Sequence, residues 1–222
     1  MSLLVAIFIG RREIMSSNKD DLTNKIIEIE EDMFSRVQNI GGKALCQEDL
    51  VTFKIMRSSQ FISWSDAALE SYLNDLTEAK KSGRNLLTEK YARMMKSTSP
   101  LEYARIKDLL PPLEPEVASL IDRIAEIELK WQEELLERFP YVVERGRPVY
   151  NSEDSPFATS METYLRGELA TYSKKTLELY YENCLDQKSK NISGAEITLE
   201  HMVKRYGYKS LEEANQKLRE CS

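Results

Sequence analysis

The sequence predicts an all-α protein, a helical bundle made of two tandem, pseudo-symmetric copies of a multi-helix unit. Three observations carry that expectation. Apolar residues recur three and four apart along most of the chain, the spacing of one helix face. Eight Gly and seven Pro in 222 residues leave little room for linker, and several of them mark the ends of periodic segments. Phrases of the first half return, in the same order, in the second.

Leu22, Ile26, Ile29, Met33 and Val37 form the first stripe. Asp20 and Asp21 are expected to supply its N-cap and first-turn acids, and Gly41-Gly42 its end. A long helix is expected from about Glu48 to Lys81, with Phe53, Met56, Gln60 and Trp64 on one stripe and Ile55, Ile62, Leu69, Leu73 and Leu76 on another. Two apolar stripes make it central. Gly83 suits the residue just past a helix end, Asn85 caps the next helix over Leu86 to Met95, and Ser99-Pro100 restarts a short one to Leu110. Pro111-Pro112 breaks the chain. From Pro115, a good first helical residue, Val117, Ile121, Ile124, Ile127, Trp131 and Leu135 form another amphipathic helix ending near Pro140.

The second copy begins there. Ile26-Ile27-Glu28-Ile29-Glu30 reads like Ile124-Ala125-Glu126-Ile127-Glu128, with Met33 answered by Trp131. Trp64-Ser65, Leu69-Glu70 and Tyr72 match Tyr172-Ser173, Leu177-Glu178 and Tyr180, and Ser99 with Glu102 matches Ser210 with Glu213. Helical periodicity alone can produce chance matches, but these keep their order across separate elements. Copy one is placed at about 20–110 and copy two at about 115–220, within one domain of residues 16–222. Residues 1–15 are set apart, because the apolar run Leu3 to Ile9 is too short to span a bilayer and Met15 opens a polar stretch suited to a natural start. A start upstream of the natural one, an added strand or helix packed on the body, and a weak membrane-surface anchor stay open for them.

Composition narrows the partners. A net charge of −6 and a pI near 5.2 argue against nucleic acid, which needs clustered Lys and Arg. Cys46, Cys184 and Cys221 are far apart and form no CxxC pair, so neither a disulfide framework nor a zinc ribbon is expected, and a reducing, cytoplasmic compartment fits. No membrane partner is expected. With His201 as the sole histidine, the paired Glu-x-x-His motifs of a ferritin-like di-iron site are disfavoured and a nucleophilic triad is not expected. There is no Walker loop and no GxGxxG.

Candidate chemistry rests on inward polar residues. On a helical wheel Glu28 and Glu126 lie about 160° from Ile26 and Ile124 and face solvent, whereas Glu30 and Glu128 lie about 40° away, on the apolar stripe. Gln60 and Glu168 occupy matching inward positions of the stripes Phe53, Met56, Gln60, Trp64 and Met161, Tyr164, Glu168, Tyr172. Around a pseudo-two-fold axis, Glu30, Glu128, Gln60 and Glu168 would converge under Trp64, Trp131, Tyr164 and Tyr172. Buried carboxylates need partners. They pair with Arg57, Arg93 or Arg166 as a structural network, or Glu30, Glu128 and Glu168 bind a hard cation such as Mg²⁺ or Mn²⁺ or an amine, or the faces are solvated. Two loops add candidates: 145–160 as a lid, and Lys80 to Asn85, with Arg84, as an anion cradle at a helix N-terminus. For both, a plain connection is the simpler reading.

The phrases Arg57-Ser58-Ser59-Gln60-Phe61, Gly83 through Met95, Ser152-Glu153-Asp154 and Thr163 through Glu168 resemble an uncharacterised bacterial family, domain of unknown function 4125, over roughly residues 20 to 215. The resemblance implies a cytoplasmic bacterial protein and brings no activity, cofactor or catalytic residue. The functional expectation is a small molecule or divalent cation bound in an acidic, aromatic-lined pocket between the copies. The alternative is a protein-protein interaction module without chemistry, and a second copy of the chain is retained as a partner for either.

Overall fold

Seven of the helix starts are set by short polar side chains. Asp49, Ser65, Asn85, Ser160, Ser173, Ser193 and Ser210 each accept a hydrogen bond from the backbone N–H three residues on, filling a donor that the first turn leaves unpaired. The computed structural model describes residues 3–38 and 47–221, with side chains from Asn18 onward. Over these residues the chain is all-helical, with no strand. The helices are α1 (Leu3–Ser35), α2 (Leu50–Phe61), α3 (Asp66–Lys81), α4 (Leu86–Thr98), α5 (Pro100–Ile106), α6 (Pro115–Arg138), α7 (Pro140–Val143), α8 (Met161–Leu169), α9 (Lys174–Ser189), α10 (Gly194–Arg205) and α11 (Leu211–Glu220).

Two expectations about boundaries are corrected. The first helix does not start at Asp20: α1 runs unbroken from Leu3, so Asp20 and Asp21 lie inside it and not at its start. Its end is at Ser35, where buried Gln47 donates to the carbonyls of Phe34 and Val37, 2.9 Å each. Gly41, Gly42 and Cys46 lie outside the described residues. Nor is the segment from Glu48 to Lys81 one helix. It breaks between Phe61 and Asp66 because the Ser65 hydroxyl caps α3 (Ala68 N, 3.3 Å) and the carbonyls of the linking residues Ile62, Ser63 and Trp64 find donors outside the helix. Lys19 of α1 reaches Ile62 O at 2.7 Å and Trp64 O at 2.5 Å, while Asn183 and Gln187 of α9 donate to Ser63 O. The second half breaks in the same way between Leu169 and Lys174, where Ser173 caps α9 and its N–H donates to Asp75 of α3. Removing the Ser65 cap in Ser65→Ala is expected to cost about 1 kcal/mol in urea unfolding, against a negligible change for the exposed Ser82→Ala.

Past α3, Gly83 takes φ +72°, and past α9 Asn191 takes φ +54°. Each lets the next residue bond back, Arg84 N to Ala79 O and Ile192 N to Gln187 O, the left-handed helix ending that Gly83 predicts.

In packing, α1 lies against α2, α3 and α4, and α6 lies against α8, α9 and α10. The two groups join through α3 on α9 and through crossed partners, α2 on α10 and α4 on α8. The core runs through this junction. Trp64 stacks on Tyr180 at 4.3 Å and meets Tyr172 edge-on at 5.7 Å, and Tyr72 lies 4.7 Å from Tyr172. Among the described residues no helix is long and apolar enough to cross a membrane.

Candidate functional site

The helical wheel orders the acids of the first helices as the structure does. Glu28 and Glu126 are exposed, Glu30 is fully buried and Glu128 is half-buried. A carboxylate without water must accept hydrogen bonds from every side, and Glu30 does. Its Oε1 accepts from Tyr72 Oη at 2.7 Å and from Arg57 Nη2, and its Oε2 from Arg57 Nε at 2.7 Å, so the guanidinium grips it with two parallel bonds. Arg57 Nη1 turns the other way, to Glu168 Oε1 at 2.9 Å and to Gln60 Oε1 at 2.6 Å. Glu168 Oε1 also accepts from Tyr172 at 2.7 Å and Gln60 at 3.2 Å, and its Oε2 accepts from Lys90 Nζ at 2.6 Å.

Thus α1, α2, α3, α4 and α8 each send a polar side chain into one buried network of two carboxylates and two cations. Burial alone raises the Glu168 carboxyl, but Arg57, Lys90 and Tyr172 outweigh it and hold the group far below the usual carboxylate range. Burial likewise lowers Arg57, and the charges of Glu168 and Glu30 overcome it. Tyr72 and Tyr172 are pushed up by burial and by the same carboxylates, so both phenols stay protonated as donors.

A cavity of about 150 Å³ opens onto this network. Glu30, Arg57, Tyr72, Lys90 and Glu168 line its polar floor, and its walls are Phe34, Phe53, Met56, Leu86, Leu87, Tyr91 and Tyr164. Phe34 and Phe53 stack at 4.9 Å. Arg147, Asp49, Thr52 and Thr171 complete the lining. Lys90 Nζ stands 3.5 Å from the Tyr164 ring centre, and the Arg147 guanidinium stands 4.7 Å from the same centre.

Of the residues singled out by sequence, Glu30, Arg57, Gln60, Glu168 and Tyr172 therefore meet in one network, with Tyr164 at the cavity wall and Trp64 packed on Tyr172. The others lie elsewhere. Glu128 is not part of the network: it accepts from Tyr180 at 2.6 Å and from the Cys184 thiol at 3.8 Å, with no cation partner among the described residues. Trp131 is buried between α6 and α10 against Gly194, whose missing Cβ would stand 3.2 Å from the indole. Arg166 pairs with Glu162 and Asp122, and Arg84 grips Glu89 with two bonds beside the Asn85 cap. Arg93 donates to Pro111 O, and His201 Nδ1 lies 2.9 Å from Ser59 Oγ. Among the described residues no group of three or more His, Cys, Asp or Glu is arranged to hold a metal ion.

Sequence reasoning passed over Lys90 and Arg147. Lys90 carries a usable signal, since Leu86, Lys90 and Met94 are four apart on one helix face and both neighbours are buried. Arg147 sits in a loop and carries none.

Glu128 makes a contrasting case. Burial raises its carboxyl above the ordinary value, against the hydrogen bonds of Tyr180 and Cys184 that lower it. A folded pKa above the unfolded one gives stability that is full below the unfolded value of 4.5 and is lost as pH rises through the folded value. Glu128→Gln, which keeps the acceptor for Tyr180, is therefore expected to gain stability relative to the parent on going from pH 4 to pH 8. Chemical denaturation at the two values checks it, and a loss on that change contradicts the assignment.

Against known proteins, the family profile described as "Protein of unknown function (DUF4125)" matches residues 20–216. No curated protein and no solved structure matches the chain.

Proposed function

The chain belongs to the DUF4125 family of proteins of unknown function, and we propose that it is a small-molecule-binding protein whose pocket lies between two tandem copies of one helical unit. The duplication is supported by paired details. Glu30 accepts from Tyr72 as Glu128 accepts from Tyr180. The caps Ser65 and Ser173, and the positive φ of Gly83 and Asn191, fall at matching places. The contacts Trp64–Tyr180 and Tyr172–Tyr72 exchange under a two-fold rotation, as do α2 on α10 and α8 on α4. In this reading Gln60 and Glu168 meet on the axis.

The observation that carries the binding reading is the Lys90 ammonium. It is 5% exposed, faces the cavity, and offers three N–H groups, of which only one has an oxygen acceptor among the described residues. The ammonium is met by Glu168 on one side and by the Tyr164 ring face, 3.5 Å away, on another, and an acceptor on a ligand in the cavity would add a charge-assisted bond to it. The cavity has the size that admits one aromatic ring. The carboxylates a cation would need are already engaged by Arg57, Tyr72, Tyr172 and Lys90.

A screen of single-ring fragments by thermal shift, with native mass spectra of the purified chain, tests this. At least one fragment is expected to raise Tm, and Lys90→Met to abolish that response. No response and a bare mass would move the function to the second reading, an interaction module. That reading is favoured by α5, which buries no residue, and by Leu101 and Leu109, 77% and 82% exposed.

A further inference from the structure

We infer that the ligand of this pocket is a small monocarboxylate with a compact aromatic or branched apolar body, its carboxylate held between Lys90 and Arg147 at the Tyr164 ring. This rests on the pocket reading above and specifies its chemistry. The unused hydrogen-bonding capacity of the charged lining groups decides the sign. Both oxygens of Glu30 and both of Glu168 already have donors. Asp49 caps α2, accepting from Thr52 N at 3.0 Å. The two buried carboxylates are thus fully engaged, and Asp49 at the rim spends Oδ1 on its cap.

Donors, by contrast, are in surplus. Two N–H groups of Lys90 lack an oxygen acceptor among the described residues. Arg147 has a single hydrogen bond, from Nη1 to Thr159 O at 3.1 Å, and no carboxylate partner among the described residues. Its remaining N–H groups and those of Lys90 lie about the same ring, 4.7 Å and 3.5 Å from its centre for guanidinium carbon and ammonium nitrogen. The buried floor is balanced, Arg57 and Lys90 against Glu30 and Glu168. Asp49 and Arg147 complete the lining with one charge each; Asp49 caps α2, whereas Arg147 has no carboxylate partner among the described residues and is the cation placed to take one from a ligand. The rest of the wall is apolar: Phe34 and Phe53 stacked on one another, with Met56, Leu86 and Leu87. A cavity of about 150 Å³ leaves room for a body no larger than one ring.

The test uses the full chain and three probes of equal size: benzoate, benzamide and benzylammonium. Binding is followed by NMR of the methionine and leucine methyl groups, so that Met56, Leu86 and Leu87 locate it. Benzoate is expected to shift those methyls and to bind about tenfold or more tighter than benzamide, the worth of a charge-assisted pair. Arg147→Gln, at a half-buried position outside the network, should fold normally and bring benzoate to within about threefold of benzamide. If benzamide or benzylammonium binds these methyls as tightly as benzoate, or Arg147→Gln leaves the preference intact, the carboxylate assignment is overturned and the pocket stands. If no probe shifts them, the pocket reading falls with it.

Discussion

Arg57→Ala is expected to lower stability by about 3–5 kcal/mol, the cost of stranding a buried charge, and that is a large part of the 5–15 kcal/mol typical of a domain. The reason is the number of groups that depend on one guanidinium. Fully buried Glu30 would keep only Tyr72 as donor, and Glu168 would keep Lys90, Tyr172 and Gln60. The penalty comes from charge left without a partner, so removing the charge as well should recover part of it: Arg57→Ala combined with Glu30→Gln is expected to be more stable than Arg57→Ala alone. A double-mutant cycle from urea midpoints measures this coupling. Strictly additive losses would mean that Arg57 acts through packing on Phe61, over which its guanidinium sits at 4.7 Å.

The same network sets the response to acid. The folded pKa of Glu168 is depressed below the ordinary 4.5, so its contribution is present above 4.5 and is lost as pH falls below it. In Arg57→Ala that depression shrinks. The difference in stability between parent and variant should therefore narrow from pH 7 toward pH 4, and a constant difference would remove Glu168 from the account.

Gly167→Ala is expected to destabilise by about 1–3 kcal/mol, the usual cost of overpacking, although Ala in place of Gly inside a helix ordinarily gains about 1 kcal/mol. The sign turns on where α8 crosses α4. A Cβ at Gly167 would stand 2.8 Å from Met94 Cγ and 3.1 Å from the Lys90 carbonyl oxygen. The methionine can swing away, but the carbonyl belongs to α4 and moves only with the helix. That movement also draws Lys90 from Glu168, 2.6 Å apart in the parent. Met94→Ala removes the closer of the two contacts, so the double variant should lose less than the sum of the single ones. A Gly167→Ala protein with a higher Tm than the parent would show that the helices can separate without cost.

The faces of the helices, inward and outward, could be read from the sequence, and the reason is local. Helix faces follow from the 3.6-residue repeat, so the burial of Glu30 and Glu168 and the exposure of Glu28 and Glu126 were legible. Caps follow from Ser, Asn and Asp at helix starts, and Gly83 announced its own turn. The breaks at Ser65 and Ser173 were legible in principle too, since each serine stands at an N-cap. Continuous apolar stripes concealed them, because a stripe passes through a short kink when both helices bury the same face.

The site was only partly legible. Periodicity places a carboxylate on the inner face but cannot say which cation meets it across the fold. The choice of Arg57 and Lys90 over Arg84, Arg93 and Arg166 was made by the crossing of α2, α4 and α8, a long-range matter. The separation of Glu128 from the network was decided there as well, since packing leaves it with a phenol and a thiol as partners. Arg147 reached the Tyr164 ring from a loop with no periodicity to expose it. By itself, then, the sequence determined the helices, their inward faces and the acids upon them, which depend on neighbours three and four residues away. Only the tertiary structure decided which charges pair and which donors remain open to a ligand, because those depend on side chains tens of residues apart.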